Sequence, residues 1–169
     1  MRGLRQVFGV AAAGLMLAGS VLGVSAHEHR DVGDYTFVVG FIHEPAISEE
    51  LNGLSLRVTQ AQAPDAAQAT PVGEAATPAA EPVAVGVEGL ESTLQAEVIY
   101  GDQKMTLTLA PAWKDPGAYQ AWFIPTQPGD YSFHIWGTIN GQQVDETFTS
   151  SPDGFDSVQD RTTLLFPQP

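Results

Sequence analysis

His27-Glu28-His29 is the stretch of this chain whose residue types and spacing can do chemistry. Val24-Ser25-Ala26 precedes it and fits the small-x-small pattern at which a secretory leader is cut. Cleavage there gives His27 a free α-amine and places two of the four histidines within the first three positions. Two ways of holding Cu(II) follow. In one, the amine, the amides of Glu28 and His29 and the His29 imidazole form a square of four nitrogens, the geometry Cu(II) prefers. In the other, the amine and imidazole of His27 chelate together as a brace, completed by a side chain from elsewhere. The plainer reading is that polar residues collect at a frayed terminus.

Little else in the chain is reactive. It has no Cys, no Gly-x-Ser-x-Gly, no phosphate loop and no His-Glu-x-x-His. Glu49-Glu50 and Asp145-Glu146 read as solvated surface, and neighbours on a strand point to opposite faces, which makes Asp145 and Glu146 a poor dyad. His134 sits mid-strand on the face away from Tyr131 and Phe133, the place of a surface or stacking histidine. Trp122 and Trp136 read as outward-facing too, either a docking patch or surface under a second packed sheet or a covering loop. No enzyme is expected.

Residues 1–26 read as a secretory signal peptide, with Arg2 and Arg5 ahead of an apolar run. The alternative is a membrane anchor, since the run is near the lower length limit for a span. Removal of Arg2 and Arg5 takes the net charge from −13 to −15. Such a chain repels nucleic acid and anionic lipid, so neither is an expected partner, and membrane contact is expected only through an uncleaved leader. The location implied is extracytoplasmic, periplasmic or secreted. Without cysteine there is no disulfide framework and no thiolate metal site.

The elements that must position the terminus are strands. Residues 27–33 read as a polar arm, and Tyr35 to Ile42 as a strand rich in aromatic and β-branched residues, ended by His43-Glu44-Pro45. A second strand spans Ser55 to Gln60. Residues 61–82 are Ala, Pro, Gln, Thr and Glu with no aromatic residue, which predicts a disordered insertion inside one domain of residues 27–169. Val83 to Leu90 resumes apolar alternation. Thr93 to Tyr100 and Lys104 to Leu109 read as a hairpin around a three-residue loop, Gly101-Asp102-Gln103. Ala118 to Ile124 is another strand, with Tyr119, Ala121 and Phe123 on one face. Tyr131 to Thr138 and Gln143 to Thr149 flank Asn140-Gly141, the strongest short hairpin signal. Leu164 to Phe166 is a candidate last strand. Gly129-x-Tyr131-x-Phe133 has the spacing of a tyrosine corner, or simply of a turn followed by an aromatic strand start. The class predicted is all-β, an immunoglobulin-like or cupredoxin-like β-sandwich of seven or eight antiparallel strands.

The His27-Glu28-His29 start, together with Pro128-Gly129-Asp130-Tyr131 and the closing hairpin through Phe148, resembles the CopC family of exported copper-resistance proteins. That resemblance implies a cupredoxin-like sandwich with Cu(II) bound at its N-terminal His. The family's turn carries Asp-Gly-His, whose Asp and His complete its site, whereas this chain has Asn140-Gly141-Gln142. Only His27 therefore carries over. Strand parity puts the arm at the Asn140 end, within reach of Asn140, Gln142 or Gln143, with His43 at the other end. The expectation is an extracytoplasmic protein holding Cu(II) through His27 and His29, for buffering or delivery. The alternative is a metal-free immunoglobulin-like accessory module with an envelope protein as partner.

Overall fold

The computed structural model describes residues 27–62, 83–150 and 154–168. The expected leader lies outside them, and so does all of the expected insertion except its first two residues. Ten strands form among the described residues, against the seven or eight expected: β1 (His27–Val32), β2 (Tyr35–Phe41), β3 (Asn52–Gln62), β4 (Val83–Gly86), β5 (Leu94–Tyr100), β6 (Gln103–Leu107), β7 (Ala110–Pro111), β8 (Ala118–Phe123), β9 (Ser132–Ile139) and β10 (Gln142–Thr149). They make two sheets in which every named pairing is antiparallel. One runs β1-β2-β3-β8-β7, with β4 on the far half of β3; the other runs β10-β9-β5-β6. No helix among the described residues is long and apolar enough to cross a membrane.

Alternation along each strand builds the core. Phe37, Val39 and Phe41 of β2, Leu54, Leu56 and Val58 of β3, Tyr119 and Ala121 of β8, and Phe133, Ile135 and Ile139 of β9 are all buried. Rings from the two sheets meet across it. Phe37 stacks on Phe148 of β10 at 6.2 Å between centroids, and Phe41 sits edge-on to Phe133 at 5.4 Å. The apolar faces of both sheets thus close on one core.

The turn chemistry explains most of the register. Asn140 (φ 49°) and Gly141 (φ 87°) supply the two positive-φ positions that a two-residue hairpin needs, and Ile139 pairs with Gln142 on either side. The β5–β6 hairpin is tighter than expected. Tyr100 pairs with Gln103, so the loop is Gly101-Asp102 alone, and Gln103 belongs to the ladder. The corner at Tyr131 is present: its hydroxyl donates to the Gln127 carbonyl at 3.0 Å and accepts from the Gln127 N–H at 3.3 Å. Tyr119 does something else. Its hydroxyl donates to the Val87 carbonyl at 2.7 Å and accepts from the Leu90 N–H at 3.1 Å, pinning the β4–β5 connection.

Four expectations are corrected. The polar arm is the strand β1, because a turn at Gly33 (φ 61°) folds it back onto β2, and Val32 supplies an inward apolar contact. Ala61 and Gln62, placed at the start of the expected insertion, extend β3 and pair with Ala84 and Val83; the rest of that insertion lies outside the described residues. The strand expected over residues 83–90 stops at Gly86, followed by a 3-10 turn at Leu90–Ser92. Leu164 to Phe166 is not a strand; Arg161–Leu164 is a 3-10 turn capped by the Asp160 side chain, which accepts from the Thr162 N–H. Asp160 is a strong capping residue, and its local bonds outcompete any ladder there.

Candidate functional site

β1 carries the two candidate metal ligands on its outward edge. Val32 and the largely covered Glu28 side chain point inward, and parity sends His27 and His29 outward onto one side of the strand. Partial burial, and secondarily the neighbouring His29, push the His27 imidazole below its ordinary pKa. The two rings are therefore close enough to feel one another. His27 pairs with Gly40 and His29 with Val38, so the backbone of this stretch belongs to a ladder from its first residue.

That ladder bears directly on the two modes of copper binding. A square made with the Glu28 and His29 amides needs those amides deprotonated and the chain curled around the ion, which an extended, paired strand opposes. A His27 brace makes no such demand. The family's second half-site is not assembled either. Asn140 Nδ2 donates to the Tyr35 hydroxyl at 3.0 Å, and Gln142 Nε2 donates to the Val32 carbonyl at 3.1 Å. These side chains hold the β1–β2 turn in place, and His27 lies at the other end of β1, about 17 Å of strand away. The parity expectation is corrected on this point. The hairpin tip, not the histidine end, meets Asn140. Among the described residues no group of three or more His, Cys, Asp or Glu side chains is placed to hold a metal ion.

Sequence reasoning missed the partners of Arg30. Its guanidinium binds Glu28 beside it and Glu146 of β10 at 2.8 Å, and lies 4.3 Å over the buried Phe148 ring. One charged group thereby ties the edge strands of both sheets. The signal was available in outline, since Glu28, Arg30 and Val32 share a parity, but only the sheet order puts β10 beside β1.

His134 is a stacking histidine, as its position suggested. Its ring lies on Trp136 at 4.6 Å, Nε2 meets Asp145 at 2.7 Å and Nδ1 meets Glu97 at 3.1 Å. Lys104 Nζ adds a 2.8 Å bond to the same Glu97 oxygen. The hydrogen bond to Asp145 first, then that to Glu97, hold the imidazolium above its ordinary pKa. Carboxylates on both sides of the ring make this a surface ion-pair network, with no nucleophile for the imidazole to activate.

Glu44 is the other group that was not anticipated. Its Oε1 accepts the Phe41 N–H at 3.2 Å, while Oε2 is buried with no hydrogen-bond partner among the described residues. Burial, with help from nearby Asp156, pushes its pKa up to about 7. Residues 154–160 are what bring Asp156 there. Phe155 is fully buried against Phe41 and Phe133, Val158 bridges to Gly129, and Gln159 bridges to Ile47. This segment plugs the end of the core between the two sheets.

No family model matches the chain. No curated protein matches it either. A crystal structure of the Lin-41 filamin domain aligns with 64% of this chain and 87% of that domain, at 16% identity and a TM-score of 0.33. A likeness at that score carries no weight for fold or function.

Proposed function

We propose that the protein is a non-enzymatic, immunoglobulin-like module of the cell envelope that works by protein contact, without a resident metal. One observation carries this reading. The side chains placed where the copper family completes its site, Asn140 and Gln142, are spent on holding the β1–β2 turn. The two antiparallel sheets, their shared aromatic core and the Tyr131 corner suit an immunoglobulin-like sandwich. An acidic chain without cysteine whose residues 1–26 have the pattern of a secretory leader suits an envelope location. The test is metal titration of the exported protein by calorimetry and electron paramagnetic resonance. The module reading expects no stoichiometric nitrogen-coordinated Cu(II); a tight one-to-one complex overturns it.

A second reading keeps copper, on the observation that His27 and His29 share the outward side of β1 and interact electrostatically. An imidazole held below its ordinary pKa is neutral at neutral pH, the form that binds metal. In this reading Cu(II) is held at His27, with the α-amine and with His29 as its neighbour on the strand. Both His27→Ala and His29→Ala then weaken binding, whereas the backbone-amide square predicts that His29→Ala alone is severe.

A further inference from the structure

We propose that two copies of this chain associate by exchanging their C-terminal segments, residues 162–168 of each entering an apolar groove beside β6 of the other. The proposal rests on the contact-module reading and names the partner. The two long sides of the molecule differ in kind. On one, Arg30 ties β1 to β10 with charge. On the other, among the described residues, β6 is the last strand of its sheet and β7 pairs only with Tyr119 and Gln120 of β8. Between β6 and the end of β8 lies a groove of about 280 Å³, lined by Val98, Tyr100, Met105, Phe123, Ile124 and Tyr131. Met105 is 48% exposed and Ile124 53% exposed, so the apolar lining opens to solvent beside an unpaired strand edge.

The same chain presents a matching knob. Leu164 is 63% exposed and Phe166 97% exposed. They are held outward by local bonds. Asp160 caps the turn through Thr162, the Thr163 hydroxyl donates to the Asp160 carbonyl at 2.7 Å, and Gln168 Nε2 donates to the Leu165 carbonyl at 2.6 Å. The segment therefore points its large apolar side chains to water in a preformed shape, which lowers the ordering cost of docking. Its root is beside the groove. Arg161 binds Glu49 at 2.9 Å, and the Glu49 N–H donates at 2.7 Å to the carbonyl of Pro125, a groove residue. The preformed turn at Arg161–Leu164 thus projects its apolar side chains next to the groove, so that a facing copy can receive them while its own knob enters in return.

Charge permits this occupant. The chain carries −13, so two copies repel wherever their acidic surfaces meet. Residues 162–168 (Thr-Thr-Leu-Leu-Phe-Pro-Gln) are uncharged, and Lys104 is the ionised residue lining the groove. This pairing brings two acidic molecules together through surfaces that do not repel. Reciprocal exchange closes on itself as a two-fold dimer and leaves no free knob to propagate a chain.

Sedimentation velocity and light scattering on the exported protein across the micromolar range test this. The expected species has twice the monomer mass. Leu164→Asp with Phe166→Asp, in the knob, and Met105→Glu with Ile124→Glu, in the groove, should each give a monomer with an unchanged circular dichroism spectrum, since all four positions are exposed. Mixing the knob variant with a groove variant carrying Met105→Lys and Ile124→Lys should restore a dimer, because one contact is wild type and the other sets Asp against Lys. A wild-type monomer throughout the range overturns the proposal. So does a dimer that survives the groove variant, or a mixture that stays monomeric. Binding of the wild type to neutral lipid vesicles, lost in the knob variant while the protein stays monomeric, assigns the knob to a membrane instead. The copper titration is independent of all these outcomes, so failure of the dimer leaves the contact-module reading to stand or fall by itself.

Discussion

Single side chains here have jobs that their neighbours in sequence do not announce. Tyr131 is the most legible, since the Gly-x-Tyr-x-Phe spacing points to its hydroxyl bonding back into the preceding turn, and it does. Tyr131→Phe keeps the buried ring and loses that bond, so equilibrium denaturation should show a loss of about 1 kcal/mol. Glu44 is the least legible. Glu-Pro reads only as a strand end, and nothing in the sequence says that its carboxylate will be tucked under residues more than a hundred positions later. With a folded pKa of about 7 against an ordinary 4.5, the folded state keeps a proton that the unfolded state has already released between those values. Stability therefore falls as pH rises from about 4.5 to about 7, and stays lower above it. Glu44→Gln still accepts the Phe41 N–H and carries no charge. Its melting temperature should match wild type near about pH 5 and exceed it near about pH 8.

At the scale of elements, the strands that alternate cleanly were readable and the ones that do not were missed. Tyr35 to Phe41 and Ala118 to Phe123 put an apolar or small side chain at every second position, and the Asn140-Gly141 turn fixes the closing hairpin. β1 hides because its inward positions are Glu28, Arg30 and Val32, two of them charged. Period-2 patterning in hydrophobicity is blind to an ion pair facing a core. The plug at residues 154–160 hides for the opposite reason. Phe155 is a lone aromatic in a Gly, Asp and Ser setting that reads as loop. The candidate site was legible only as chemistry. The residues His27 and His29 were visible, but the direction of β1, and hence the end at which they lie, depends on the turn at Gly33. Phe155→Ala offers the sharpest test at this scale. The ring is fully buried with neighbours at 5.4 Å and 5.3 Å, so its removal should cost about 3–5 kcal/mol in urea denaturation. A surface loop residue would cost almost nothing.

Across the whole molecule, the two sheets share a core but are joined differently along their two long sides. The β1–β10 side rests on Arg30, which links strands more than a hundred residues apart in sequence and covers the Phe148 ring. Its guanidinium meets two carboxylates, the Thr147 carbonyl at 3.1 Å and the Phe148 ring, so removal acts in three ways. Arg30→Ala uncovers Phe148, removes three charge-assisted hydrogen bonds, and leaves Glu28 and Glu146 without their shared cation. Bonds to charged groups contribute about 1.5–3 kcal/mol, and both carboxylates retain some access to water, so a loss of about 2 kcal/mol is expected. Arg30→Met separates the parts. The methionine still covers Phe148, so recovery relative to alanine measures packing, and the remaining deficit measures charge. Adding Glu146→Gln to Arg30→Met should recover part of that deficit, because it deletes one carboxylate that has lost its cation; in the wild-type background the same change should destabilise. A double-mutant cycle by urea denaturation gives the coupling directly. If Arg30→Met alone matches wild type, the side is held by packing, and the charge network contributes nothing to joining the sheets.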